Sequence, residues 1–81
     1  MKIKPLRADL KKILKKHQLE KKFTKQKKLF EKNLQHPSLN TEKLDPKKLN
    51  VYSFRLDRKW RAIFIIVKDE VEIIDINPHY Q

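Results

Sequence analysis

Arg55 and Arg61 stand on either side of a short polar segment. Before it, Tyr52-Ser53-Phe54-Arg55-Leu56-Asp57 alternates apolar and polar residues; after it, Trp60 to Val67 is aromatic and β-branched. Period-two alternation marks a half-buried strand. If the chain turns through Asp57-Arg58-Lys59 so that Leu56 faces Trp60, Arg55 lies directly opposite Arg61. Like charges facing each other across a ladder are destabilising, and such a pair is best tolerated where an anion sits between them. A second turn at Lys68 to Glu70, with Val67 facing Val71, leads into a third strand and sets Arg61 against Asn77. Arg55, Arg61 and Asn77 then form a row at one end of one sheet face, and His79 and Tyr80 follow immediately.

This row holds what metal-free cleavage of an RNA phosphodiester requires. A 2′-hydroxyl must lose a proton, the leaving 5′-oxygen must gain one, and charge on the phosphate oxygens must be neutralised. His79 has the reference pKa suited to proton transfer near neutrality. Arg61 and Arg55 offer planar forks for phosphate. Tyr80 can stack on a base or orient the phosphate. Glu42 is a second acid/base candidate. Arg58, Lys59, Lys43, Lys47 and Lys48 are expected as further phosphate contacts.

Plainer roles compete for the same residues. Strand arginines commonly pair with carboxylates, and the expected register brings Asp57 or Asp75 near enough to serve. A terminal His79 is often a solvated tail, and Tyr80 can simply cover the sheet. Trp60 shares a face with Ala62 and Phe64 and reads as core. His17 ends an apolar stripe and reads as structural. His17, His36 and His79 lack metal-ligand spacing, so no metal and no other cofactor is expected. The four Ser/Thr residues show no triad arrangement.

The elements that must position these groups follow from periodicity. Met1 to Leu6 reads as a short strand that Pro5 confines to an edge. Asp9 opens a helix to about His17, with Leu10, Ile13, Leu14 and His17 on one face. A second helix is expected from about Leu19 to Leu34, with Leu19, Phe23, Phe30 and Leu34 as its stripe. Their tight connection predicts a helical hairpin over residues 8–35. Residues 36–50 are polar, contain Pro37 and Pro46, and read as a crossing loop. Residues 51–81 read as an antiparallel meander. The expectation is one α+β domain over residues 1–81, an antiparallel twisted sheet of 3–4 strands with the helical hairpin on one face.

Composition narrows the function classes. The 81 residues contain no cysteine and no glycine, which removes disulfides, Cys-ligated zinc, thiol catalysis and Gly-rich phosphate loops. Turns must rely on Asn, Asp, Lys and Pro. The longest apolar run, Ala62 to Val67, is far below the roughly 20 residues of a spanning helix. The amino terminus is charged and lacks an apolar stretch, so no secretion signal and no membrane partner are expected, and a cytoplasmic location is. The net charge is +11, and it is concentrated: residues 1–34 carry 13 Lys/Arg against 3 Asp/Glu, residues 35–81 carry 8 against 7. A Lys-rich surface of this kind reads polyanion charge rather than base identity.

The run from Tyr52 to Phe64, YSFRLDRKWRAIF, resembles the strand–turn–strand signature of the RelE/ParE toxin superfamily. His36 to Leu44, HPSLNTEKL, is similar to that family's segment between second helix and sheet. The ending Asn77-Pro78-His79-Tyr80 resembles the YoeB branch, whose chains close on a His-Tyr pair. The resemblance is good over residues 36–81 and architectural over residues 1–35. It implies a RelE-like fold and a toxin that cleaves mRNA on the ribosome, leaving a 2′,3′-cyclic phosphate and a 5′-hydroxyl. By this resemblance Arg61 stabilises the transition state, His79 is the general acid with Tyr80 beside it, Glu42 sits near the general base, and Arg55 takes a basic position. Ser53 stands where some RelE-like members have lysine, and Pro78 before His79 is a departure. The partners implied are the ribosome, mRNA and a cognate antitoxin, for which the +11 charge predicts an acidic segment; the toxin alone is expected to be a monomer. A ParE-like gyrase poison and a non-catalytic RNA- or ribosome-binding protein are the competing functions.

Overall fold

The computed structural model describes residues 1–78. His79 and Tyr80, two of the residues singled out above, lie outside the described residues. The elements run β1 (Lys2–Ile3), α1 (Ala8–Lys16), α2 (Glu20–Lys32), β2 (Glu42–Lys43), β3 (Tyr52–Arg55), β4 (Trp60–Val67) and β5 (Glu70–Pro78), with single 3₁₀ turns at Pro37–Leu39 and Lys47–Leu49. The sheet order is β1-β5-β4-β3-β2. Among the described residues no helix is long and apolar enough to cross a membrane.

The fold class is the α+β arrangement expected, and the sheet differs in two ways. It has five strands rather than three or four, and it is mixed, because β1 runs parallel to β5 while the other pairs are antiparallel. After β1, Pro5 ends the ladder, and the chain returns through both helices and the other strands before β5 forms beside it. The amide of Ile3 donates to a Glu31 carboxylate oxygen at 2.9 Å, so α2 satisfies a backbone donor of this edge strand. The fifth strand comes from residues 36–50, read as a loop: Glu42–Lys43 pairs with Tyr52 and Ser53 as an edge strand. The β1 edge is the short strand expected in Met1 to Leu6, whereas the two residues of β2 are too few to show alternation, so periodicity could not reveal that edge.

The core forms between the helices and one sheet face. Leu10 and Leu14 of α1, Leu19, and Phe23 and Phe30 of α2 are buried against Phe54, Ala62, Phe64, Val71, Ile73 and Ile76. Burying each large side chain stabilises the fold by roughly 1.5–3 kcal/mol. The helical stripe departs from expectation at its end. Helix α2 stops at Lys32 and Leu34 is exposed, whereas Gln26 lies buried between Phe23 and Phe30. Its Nε2 donates to the carbonyls of Ser38 at 3.1 Å and Arg55 at 2.7 Å. One amide thus ties α2 to the turn before β2 and to the end of β3. Gln26→Leu would leave both carbonyls short of a partner, at a cost of about 1–3 kcal/mol. Melting of this variant is expected roughly 5–15 °C below wild type; an unchanged midpoint would show that the amide is not a strut.

The chain makes its left-handed turns without glycine. Gln18, Asn40, Asn50 and Lys68 have positive φ, and Asn tolerates that region better than most residues because its side chain bonds locally. Gln18 turns α1 into α2, and Lys68 turns β4 into β5.

Hairpin register decides which side chains meet. The first hairpin is the one expected: Leu56 donates to Trp60 at 2.9 Å, and Arg55 pairs with Arg61. Asp57 holds the turn, with one carboxylate oxygen accepting from the amides of Lys59 at 2.8 Å and Trp60 at 2.7 Å and the other from Lys22 of α2 at 2.8 Å. Desolvation pushes the Asp57 carboxyl up, but Lys22 and the two amides outweigh it and hold the group below its ordinary value of 3.8. A carboxyl lowered by folding contributes stability that is complete above 3.8 and lost as pH falls through the folded value. Melting at about pH 6 and about pH 3 should therefore show a smaller acid loss for Asp57→Asn than for wild type; equal losses would remove Asp57 from the acid response.

The second hairpin turns more tightly than expected. Val67 pairs with Glu70, not Val71, and Ile65 with Glu72. A β-bulge between Ile63 and Phe64 then takes up one extra residue on β5, so that Ile63 pairs with Asp75 and Arg61 with Asn77. Two departures of one residue cancel, and the expected row is restored at the end of the sheet that carries the arginines.

Candidate active site

The helices cover one sheet face, and the row lies on the other. There β4 and β5 present Arg61, Ile63, Ile74, Asp75 and Asn77 around a cleft of about 450 Å³, which Ser53 of β3 and Glu42 and Leu44 at the β2 edge complete.

Arg61 is the best-held group in this cleft. It is 4% exposed, buried for a charged residue. Its Nε donates to Ser53 Oγ at 2.9 Å, and its Nη2 to the Asn40 carbonyl at 2.6 Å and the Ser53 carbonyl at 3.4 Å. Asn40 supplies that carbonyl from a left-handed turn. Glu42 Oε2 stands 3.9 Å from Nη2 and remains half exposed, so its attraction is screened by water. Burial lowers the guanidinium from its ordinary pKa; Glu42 raises it, and Arg55 lowers it further. Arginine remains charged under such shifts. The result is a fixed cation whose Nη1 makes no hydrogen bond among the described residues.

The other expected residues divide. Arg55 is exposed beside Arg61, and among the described residues neither arginine pairs with Asp57 or Asp75. Arg58 and Lys59 are exposed in the turn beyond Arg55, and the Lys59 ammonium lies 6.0 Å over the Trp60 ring. Trp60 is half-buried against the core and meets His17 at 4.4 Å between ring centroids, the structural roles expected for both. Lys47 and Lys48 are exposed in the turn preceding β3, before the end of that strand opposite Arg55. Lys43 is not brought to the cleft. It pairs with Tyr52, and its ammonium lies 5.8 Å over the Tyr52 ring, which stacks on core Phe64. Adjacent strand residues point to opposite faces, so once Glu42 faces the cleft Lys43 faces away. Glu42 sits on a paired strand rather than in a loop, which fixes its backbone against Ser53.

Three participants were missed as site residues. Ser53 and Asn40 hold Arg61, and Asp75 lines the cleft with its oxygens accepting from the Ile76 amide at 2.8 Å and Asn77 Nδ2 at 2.9 Å. Pairing arithmetic contained a signal for two of them, since Ser53 and Asp75 flank Ile63 on the face of Arg61. Asn40 left none, because it acts through a backbone carbonyl.

Two helices thus cover one face of a five-stranded mixed sheet, and a cleft lined by Arg61, Glu42 and Asp75 lies on the other. A solved structure described as a YoeB/ParE toxin from Agrobacterium tumefaciens superposes with a TM-score of 0.71, covering 99% of this chain and all of that one. The two are 13% identical, so the likeness is one of fold. No protein-family model and no curated protein sequence matches the chain.

Proposed function

We propose that the chain is the toxin of a toxin–antitoxin module and acts as a ribosome-dependent mRNA endoribonuclease. The observation that carries this reading is the facing pair Arg55–Arg61 on the open sheet face, with the Arg61 fork fixed and Glu42 at 3.9 Å. Two cations that face each other across the ladder, with only the half-exposed Glu42 beside one of them, suit an oxyanion better than they suit the fold alone.

In the proposed reaction a base, Glu42 or His79, takes the proton of the 2′-hydroxyl. The freed oxygen bonds to the adjacent phosphorus, the bond to the 5′-oxygen breaks, and an acid returns a proton to that oxygen. The products are a 2′,3′-cyclic phosphate and a 5′-hydroxyl. Arg61 and Arg55 stabilise the charge on the phosphate oxygens at the transition state. His79 as acid and Tyr80 as base platform or phosphate orienter complete the set; in sequence they follow Pro78, which pairs with Trp60 beside the Arg61–Asn77 pair. Lys47 and Lys48 at one end and Arg58 and Lys59 at the other would guide the RNA backbone across the sheet. The Lys-rich helices are the docking surface for ribosomal RNA, and an acidic antitoxin segment would compete for the same positive field.

The test is tight induction in cells followed by mapping of mRNA ends on ribosomes, with Arg61→Ala and His79→Ala alongside. New ends with the wild type and their loss in both variants are expected. Intact mRNA would refute the nuclease reading, and double-strand DNA breaks would replace it with gyrase poisoning.

A further inference from the structure

The nuclease reading uses the arginine end of the cleft and leaves its other end without a role. That end is built around Asp75. The bulge places Ile74 and Asp75, consecutive residues, both at the cleft; a regular strand would send them to opposite faces. Arg7, at the start of α1, donates to the Ile74 carbonyl at 3.1 Å and so secures the bulge from the helix side. The Asp75 carboxylate is held at both oxygens, by the Ile76 amide and by Asn77. Each oxygen keeps acceptor capacity, so two acceptors stand side by side in a fixed orientation. Ile63, Ile74 and Leu44 give the cleft apolar walls. Asp75 lies two residues along β5 from Asn77, the partner of Arg61. That is about 7 Å, a separation one nucleotide can bridge between phosphate and base.

We propose that this end of the cleft is a base-reading pocket, and that Asp75 selects guanine next to the phosphate held by Arg61. This deepens the nuclease reading and rests on it. Guanine presents two adjacent N–H donors on its Watson–Crick edge, the complement of a carboxylate. Uracil sets one N–H between two carbonyl oxygens, which a carboxylate repels. Adenine and cytosine place one amino donor beside a ring-nitrogen acceptor and satisfy half of the site. Single-stranded RNA exposes this edge, and apolar side chains can cover the faces of the base. A bidentate contact of this kind discriminates by roughly tenfold to a hundredfold.

The experiment has two arms. In the first, ribosomes carry mRNAs that differ only in the nucleotides flanking the cleaved bond, and wild type is compared with Asp75→Asn. The wild type should cut beside guanine roughly tenfold or more faster than beside uracil, and Asp75→Asn should flatten that ratio. Cleavage without a guanine preference, or a preference that survives Asp75→Asn, overturns the pocket and leaves the nuclease reading standing. In the second arm, guanosine and uridine monophosphates, each as the 3′- and 5′-phosphate, are titrated into the wild-type protein and followed by amide NMR. Guanosine-selective shifts at Ile74, Asp75 and Asn77 are expected. If the protein cleaves nothing, the nuclease reading fails and this arm alone decides: guanosine-selective shifts uphold the pocket, equal or absent shifts overturn it.

Discussion

Replacing Arg61 with alanine is expected to lower mRNA cleavage by at least a hundredfold, the scale on which one oxyanion-stabilising donor acts. The proposed role rests on how this residue is held. Its guanidinium is oriented in the free protein by Ser53 Oγ and two backbone carbonyls, so little reorganisation would accompany the proposed reaction. The same contacts mean that truncation also harms the fold. The Asn40 carbonyl and the Ser53 hydroxyl lose a partner, at about 1–3 kcal/mol. Arg61→Lys separates the two effects. It keeps the charge but cannot reproduce a fork that holds two anchors and still faces the cleft. Cleavage by Arg61→Lys should stay well below wild type in protein whose melting is close to wild type. Near-wild-type cleavage by the lysine variant would reduce Arg61 to a diffuse charge and remove the basis for its special position.

The largest effect on folding is expected from Phe30→Ala. Phe30 is fully buried, 5.1 Å from Phe54 and 5.2 Å edge-on from Phe64 between ring centroids. It joins α2 to the two strands that carry Arg55 and Arg61. Truncating a buried phenylalanine costs about 3–5 kcal/mol, against a total stability of roughly 5–15 kcal/mol for a domain. A chain this small without disulfides has little reserve. Urea unfolding should show the loss as a lower midpoint, with a substantial unfolded population before denaturant is added. A loss below about 1 kcal/mol would mean that the aromatic cluster is not the centre of the core.

How much of this was legible in the sequence depends on the length scale of the signal. The pairing of Arg55 with Arg61 could be read because strand alternation and an Asp-bearing turn together determine register. The pairing of Arg61 with Asn77 was anticipated through a turn one residue too long and without the bulge that compensates for it. Apolar patterning cannot distinguish these two routes to the same pair, since Ile63 through Val67 are all apolar. The leading edge strand was expected, but its parallel pairing with β5 and the two-residue β2 edge rest on backbone pairing rather than on side-chain pattern, and so the mixed sheet was out of reach. Gln26 was overlooked because a polar residue on an apolar stripe looks like a gap until its two carbonyl partners are known. Lys43 was counted among the phosphate contacts because a loop assigns no face; once Glu42–Lys43 is a strand, only one of the two can reach the cleft. The roles given to His79 and Tyr80 rest on family resemblance.

In the proposed reaction the cleft around Arg61 cleaves RNA by attack of the neighbouring 2′-hydroxyl. The most direct measurement uses purified chain and programmed ribosomes, with chemical identification of the ends produced. A 2′,3′-cyclic phosphate on the upstream fragment and a 5′-hydroxyl on the downstream one are expected, both absent with Arg61→Ala. A 3′-hydroxyl with a 5′-phosphate, which attack by water produces, or mRNA left whole would contradict this reaction.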